Sequence, residues 1–154
     1  MKATEQLHRL GQSLWLDNIT RPMLGDGTLA GFLVGFGSRR GHDSSNFAWF
    51  AERLPDFMYI DRVVVASRRR GGGVGRTIYA DVQGYAELRY PVLACEVFVE
   101  HDSDTARIFH GSFGFREVGQ HVMPGTGIRA SMLTKDLCSY AWVRDTYGDA
   151  LPDA

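Results

Sequence analysis

Residues Arg68-Arg69-Arg70-Gly71-Gly72-Gly73-Val74-Gly75-Arg76 link the apolar run Tyr59 to Ala66 to an amphipathic run that ends at Leu88. A strand, a glycine-rich turn and a helix N-terminus in that order make an anion site. Free N–H groups at a helix start, backed by the macrodipole, hold phosphate, and glycines let the chain curl close to it. Spacing narrows the kind of loop. A Walker loop needs glycine five residues before Gly75 and then Lys and Ser/Thr, whereas this chain has Arg70 there and Arg76-Thr77 after it. A dinucleotide fingerprint needs a third glycine or alanine three residues after the second, and that place falls on Arg76 or Ile78. What remains is R-x-x-G-x-G, as Arg70, Gly73 and Gly75, or a strand-to-helix turn with surplus glycine.

The order of elements downstream supports the first reading. Val74, Ile78, Val82, Tyr85 and Leu88 fall on one helical face, and Pro91 opens the apolar run Val92 to Val99. Asp104 to Phe113 then reads as a short helix closed by Gly114-Phe115, with Ala106, Phe109 and Phe113 on a shared face. The loop resembles the coenzyme A pyrophosphate loop of the GNAT superfamily of N-acetyltransferases. Phe109-His110-x-x-x-Gly114-Phe115 is similar to that superfamily's second signature, so the resemblance covers about residues 29 to 137.

The resemblance implies an α/β (α+β) fold: a mixed, mostly antiparallel twisted sheet with a splayed central strand pair and flanking helices. Leu29 to Phe36 and Tyr59 to Ala66 read as strands, and Phe47 to Phe57 as an aromatic-rich helix or turn. Arg116 to Met123 and Arg129 to Asp136 read as a hairpin around Pro124-Gly125-Thr126-Gly127. Trp49 and Phe50 read as core more readily than as an acceptor-pocket wall. Residues 138–154 form a tail with Tyr140, Trp142 and Tyr147, able to dock on the sheet or on a second subunit.

The N-terminal part is atypical or truncated for this family. Thr4 to about Leu24, with Leu14-Trp15-Leu16-Asp17 at its centre, looks like the beginning of a bacterial transaldolase, in which the aspartate equivalent to Asp17 assists acid/base chemistry and a distant lysine forms a Schiff base. That enzyme's barrel needs about 250 residues. Fifteen of the seventeen basic residues are arginine, and Lys135 is the only lysine after the segment. Transaldolase activity is therefore not expected. Residues 1–28 are instead expected to be an accessory segment rather than a domain, with Ala3 to Leu10 as a short helix and Ser13 to Leu16 as a strand on a vacant sheet edge.

Composition sets the outer limits. The chain has 154 residues, 44% of them hydrophobic, and a formal net charge of −1, which suits one soluble globular domain and argues against a dedicated nucleic-acid binder. No apolar run approaches the ~18 residues that span a bilayer, and Met1-Lys2-Ala3-Thr4-Glu5 does not open a signal peptide. A cytoplasmic location and no membrane partner are expected. Cys95 and Cys138 form no C-x-x-C pair, and His8, His42, His101 and His121 share no metal spacing, so neither a disulfide nor a metal is assigned.

Site residues follow from the resemblance together with what acyl transfer requires. An amine must lose a proton, attack the thioester carbon through an oxyanion, and expel a thiolate that needs a proton or donors. In the family, acetyl-CoA is the acyl donor, and the central strand offers a backbone N–H to the thioester oxygen, here within Val63, Val64 and Val65. Arg70, Gly71, Gly72, Gly73, Val74, Gly75 and Arg76 are expected to hold the pyrophosphate. Ser103, at a place the family often gives to asparagine, and Phe109 are expected to border the pantetheine arm.

Glu96 interrupts a buried strand on the face of Ala94 and Phe98, so it is a base whose pKa burial raises or, alternatively, half of a salt bridge with Arg62. Asp61 is the second candidate base. His110 stands where many family members carry a tyrosine that protonates the departing sulfur, and is otherwise a packing residue. The expected activity is acetyl transfer to an amine of a small molecule or peptide. The alternative is a non-catalytic coenzyme A-binding or structural module. A missing edge strand would favour a homodimer that covers it.

Overall fold

The architecture is taken from a computed structural model, which describes residues 18–25, 28–99 and 104–151. Six strands form one sheet in the order β1-β2-β3-β4-β6-β5. They are β1 (Asn18–Gly25), β2 (Thr28–Gly37), β3 (Met58–Val65), β4 (Val92–Phe98), β5 (Arg116–Val122) and β6 (Arg129–Asp136). The helices are α1 (Ser45–Ala51), α2 (Val74–Glu87), α3 (Asp104–Ser112) and α4 (Ser139–Tyr147). Every strand pair is antiparallel except β3 with β4. The expected elements thus recur, and the hairpin β5–β6 closes with β6 placed between β4 and β5.

The N-terminal segment supplies an edge strand. Ser13 to Leu16 lies outside the described residues, as do Ala3 to Leu10 and Asp17, whereas Asn18–Gly25 pairs along β2 from Asn18↔Phe36 to Gly25↔Thr28. Proline cannot donate to a ladder and is confined to sheet edges and bulges, so Pro22 opposite Phe32 suits an outermost strand. Because β1 covers β2, the vacant edge that motivated a homodimer does not exist.

Strand alternation sends neighbouring side chains to opposite faces and builds two cores. On one face, Met58, Ile60, Leu93, Cys95, Val97 and Leu133 pack with Val74, Ile78, Tyr79 and Val82 of α2; Ala106 and Phe109 of α3 and Tyr140 of α4 cover the margin. On the other, Tyr59, Ala94, Ala130 and Met132 pack under Phe47 and Phe50 of α1. The Ser44 hydroxyl starts α1 by accepting the N–H groups of Asn46 at 3.2 Å and Phe47 at 3.4 Å. That cap turns Phe47 and Phe50 onto the sheet. Phe50 is fully buried, and Trp49 packs at its side with the Arg53 guanidinium 4.0 Å above the ring, as a packing role requires.

Two irregularities prepare the site. Val34 pairs with Arg62 but Gly35 with Ile60, which leaves Asp61 as the extra residue of a β-bulge in β3. Strands β3 and β4 pair only at Met58↔Leu93 and Tyr59↔Ala94 and then part. The two central strands therefore enclose a V-shaped opening, with Val63 to Val65 on one arm and Glu96 on the other.

Candidate active site

A cleft of about 710 Å³ runs along this opening, lined by Val63 and Val65, the loop from Arg69 to Arg76 apart from Gly72, Tyr79 of α2, and Thr105, Ala106, Phe109 and His110 of α3. Its phosphate end is built from backbone. Gly71 and Gly73 have φ of 79° and 85°, a left-handed conformation that side chains with a Cβ adopt at a cost. Gly73 is the N-cap of α2, and the first bond within the helix runs from Thr77 N–H to Gly73 O at 3.0 Å. The N–H groups of Val74, Gly75 and Arg76 precede that bond and open toward the cleft. Gly75 is needed for closeness: a Cβ there would stand 3.3 Å from the Phe109 ring. Arg76 sits 5.6 Å over Phe113 and, like Arg70, is exposed at the mouth. These features suit a pyrophosphate. Strand β3 supplies the other end, where alternate N–H groups of Val63 to Val65 face the gap that β4 has left.

His110 reaches the cleft with both ring nitrogens engaged. Nδ1 donates to Ala106 O at 2.7 Å, which leaves Nε2 to accept the Tyr79 hydroxyl at 2.5 Å. Burial holds its pKa below the ordinary imidazole value, partly opposed by the Ala106 carbonyl. The ring is neutral at pH 7 and offers no free N–H to a sulfur. Tyr79, buried and with its own pKa pushed up by burial, carries the exchangeable proton of the pair. Sequence reasoning passed over Tyr79, although a phenol one turn beyond the glycine loop, beside Ile78 on the buried face, was a usable signal.

Across the sheet, Glu96 sits beneath α1. The Tyr59 hydroxyl donates to both carboxylate oxygens, at 2.9 and 2.8 Å. Burial raises the Glu96 pKa; Tyr59, and secondarily Asn46, pull it back down, and Asp61 pushes it up. The salt bridge to Arg62 is not formed. Arg62 Nε instead donates to Asp61 at 2.9 Å, and His42 Nε2 stands 3.5 Å from the other Asp61 oxygen. Among the described residues Glu96 has no ion pair, whereas Asp61 is paired with Arg62 and approached by His42.

The structure thus brings together Val63, Val65, Arg70, Gly71, Gly73, Val74, Gly75, Arg76, Phe109 and His110 at one cleft, whereas Gly72 is outside its lining and Glu96 lies on the α1 side of the sheet. Val64 points away from the lining, as its strand position dictates, and Ser103 lies outside the described residues. No group of three or more metal-ligating side chains occurs among the described residues. No helix there is long and apolar enough to cross a membrane.

A glycine loop at a helix start, a parted central strand pair and a six-stranded, mostly antiparallel sheet define an acetyltransferase architecture. The family model described as an acetyltransferase (GNAT) domain matches residues 39–137, and the chain belongs to that family. Nourseothricin acetyltransferase is similar in fold, with TM-score 0.60 and 22% identity over 79% of this chain, which spans 66% of that enzyme's length. A putative GNAT acetyltransferase from Desulfovibrio desulfuricans gives TM-score 0.67 and 15% identity over 88% of this chain and 79% of its own. The ribosomal-protein-alanine N-acetyltransferase of Brucella melitensis gives 0.58 and 20% over 86% and 75%. No curated protein matches the sequence. The family match begins at residue 39, after the transaldolase-like segment.

Proposed function

We propose that the protein is an N-acetyltransferase that moves an acetyl group from acetyl-CoA to an amine of a small molecule or peptide by direct attack, in the cytoplasm and without a metal. One observation carries this reading: the glycine loop and the unpaired stretch of β3 line the same cleft, while Glu96, half-buried and with no ion pair among the described residues, stands on β4, the strand that parts from β3. Residues 29–137 form the catalytic unit, and residues 1–28 and 138–154 are accessory to it.

The Val74, Gly75 and Arg76 N–H groups and the Arg70 and Arg76 side chains bind the pyrophosphate. Val63 to Val65 hold the pantetheine arm and offer an N–H to the carbonyl oxygen as it gains charge. Glu96 accepts the proton that the amine gives up, for which a pKa raised toward neutrality is suited. On the sulfur side, the Tyr79 hydroxyl, which rests on His110 Nε2, turns its O–H to the departing thiolate and stabilises it by a hydrogen bond, and the thiolate takes its proton from solvent. Fold relatives named for a small-molecule antibiotic and for a ribosomal-protein alanine support both acceptor types.

Thermal unfolding with acetyl-CoA, with ATP and NAD as controls, tests the donor; a ligand at about 100 times its Kd stabilises by ~2.7 kcal/mol. The expected result is a rise specific to acetyl-CoA, followed by acetylation of at least one member of a panel of amines and N-terminal peptides. A cooperatively folded protein that shows neither would overturn the reading.

A further inference from the structure

The face of the sheet under α1 holds more polar side chains than a packing layer needs. Asn46, 1% exposed, extends from α1 between Glu96 on β4 and His121 on β5, three elements far apart in sequence. His121 Nδ1 lies 3.0 Å from Asn46 Oδ1, so the histidine donates and the amide oxygen accepts. That orientation turns the Asn46 NH2 to the Glu96 side, where, with the Tyr59 hydroxyl, it favours the ionised carboxylate. If the amide turned over, its oxygen would face a carboxylate; that mismatch fixes the orientation, and the His121 tautomer with the proton on Nδ1 matches it.

We propose that Tyr59, Asn46 and His121 are positioning residues for Glu96: the phenol and the amide favour the ionised carboxylate, and His121, donating to the amide oxygen, anchors the amide in place. The proposal rests on the reading of Glu96 as the base. It accounts for a carboxylate under an aromatic layer with no cation beside it, since a buried charge is tolerated only when hydrogen-bonded or paired. The other titratable or charged groups around Glu96 are Asp61 and Arg62 from β3, paired with each other, His42 ahead of α1, turned to Asp61, and, from the opposite core, the neighbouring Cys95 and Tyr79 of α2, whose hydroxyl is engaged by His110. From β6 the residue opposite is Met132, which carries no charge. Tyr59 and Asn46 are therefore the groups that set the basicity of Glu96, and His121 acts through Asn46.

The direct test follows the Glu96 side-chain carboxyl by NMR titration in the wild type, Tyr59→Phe, His121→Leu and His121→Gln, with Glu96→Gln identifying the signal. Losing a donor to a carboxylate raises its pKa, so Tyr59→Phe is expected to move the titration up by about one pH unit. His121→Leu moves it the same way by less, and His121→Gln, whose amide can still donate to Asn46, returns it toward the wild type. With acetyl-CoA and the best amine of the panel, the acid limb of kcat/KM moves with the titration. If both variants unfold at lower temperature while the carboxyl titration stays in place, the network is packing alone and the proposal is overturned. If the titration moves but Glu96→Gln turns over like the wild type, the positioning stands and the base reading fails; if Glu96→Gln loses turnover while Tyr59→Phe and His121→Leu leave titration and acid limb unmoved, the reverse holds.

Discussion

The two faces of the sheet solve different problems by different means. On the cleft face, the proposed binding groups are backbone N–H donors presented by Gly71 to Arg76 and by Val63 to Val65, all local in sequence and fixed by glycine conformation and a parted strand pair. On the α1 face, the polar site is made of side chains from four elements, Asn46, Tyr59, Glu96 and His121, fixed by packing under Phe47 and Phe50. A backbone site tolerates many side-chain changes and few changes at glycine. A side-chain site has the opposite sensitivities.

The largest effect is expected where the second face is hollowed. Phe50→Ala removes a fully buried ring that packs on Trp49, Phe57 and Tyr59 and should cost about 3–5 kcal/mol in denaturant unfolding. A loss under about 1 kcal/mol would mean that α1 does not hold this face together. Next is chemistry without stability. Glu96→Gln should lower turnover roughly a hundredfold while leaving the acetyl-CoA-induced shift in unfolding temperature unchanged. If cofactor binding falls as well, the two faces are not separable.

On the cleft face, Gly73→Val forces a β-branched residue to φ of 85°. The strain is about 1–2 kcal/mol, and relieving it turns the loop away from the phosphate. Calorimetry should show acetyl-CoA affinity falling about tenfold or more, whereas unchanged affinity would remove the loop from binding.

A smaller effect concerns pH. His110 has a depressed pKa in the fold, so the unfolded chain binds more protons than the folded one between that value and the ordinary 6.5. Stability from this group is present above 6.5 and is lost as pH falls through that window. Unfolding temperatures between about pH 5 and 8 should drop less steeply toward acid in His110→Phe than in the wild type. Equal slopes would show that the ring is not held neutral by burial. The least effect is expected at Trp142, 62% exposed and edge-on to Tyr147 at 5.8 Å: Trp142→Ser should stay within about 0.5 kcal/mol and leave both faces unaffected.

Much of the cleft face was legible in the sequence. The loop glycines, the amphipathic stripe of α2 and the Phe109-His110 signature each announce a local conformation, and local conformation is what residue spacing encodes. The other face was legible only as a question, why a carboxylate interrupts Val92 to Val99. Its answer needed residues 37 and 50 positions away in the chain, and no periodicity links Asn46 or Tyr59 to Glu96. The edge strand was hard to read for a similar reason: Asn18–Gly25, with Pro22 inside it, reads poorly as a strand until pairing with β2 supplies its partners.

By itself the sequence determined the order of elements, the anion-binding helix start and the family signatures, because each depends on residues within a few turns of one another. Tertiary structure alone decided that Arg62 answers Asp61 rather than Glu96, that His110 is bound by Tyr79, and that Glu96 is held by a phenol and an amide. Those choices depend on which strands part, where the bulge falls and which faces are buried, and these are properties of the assembled sheet.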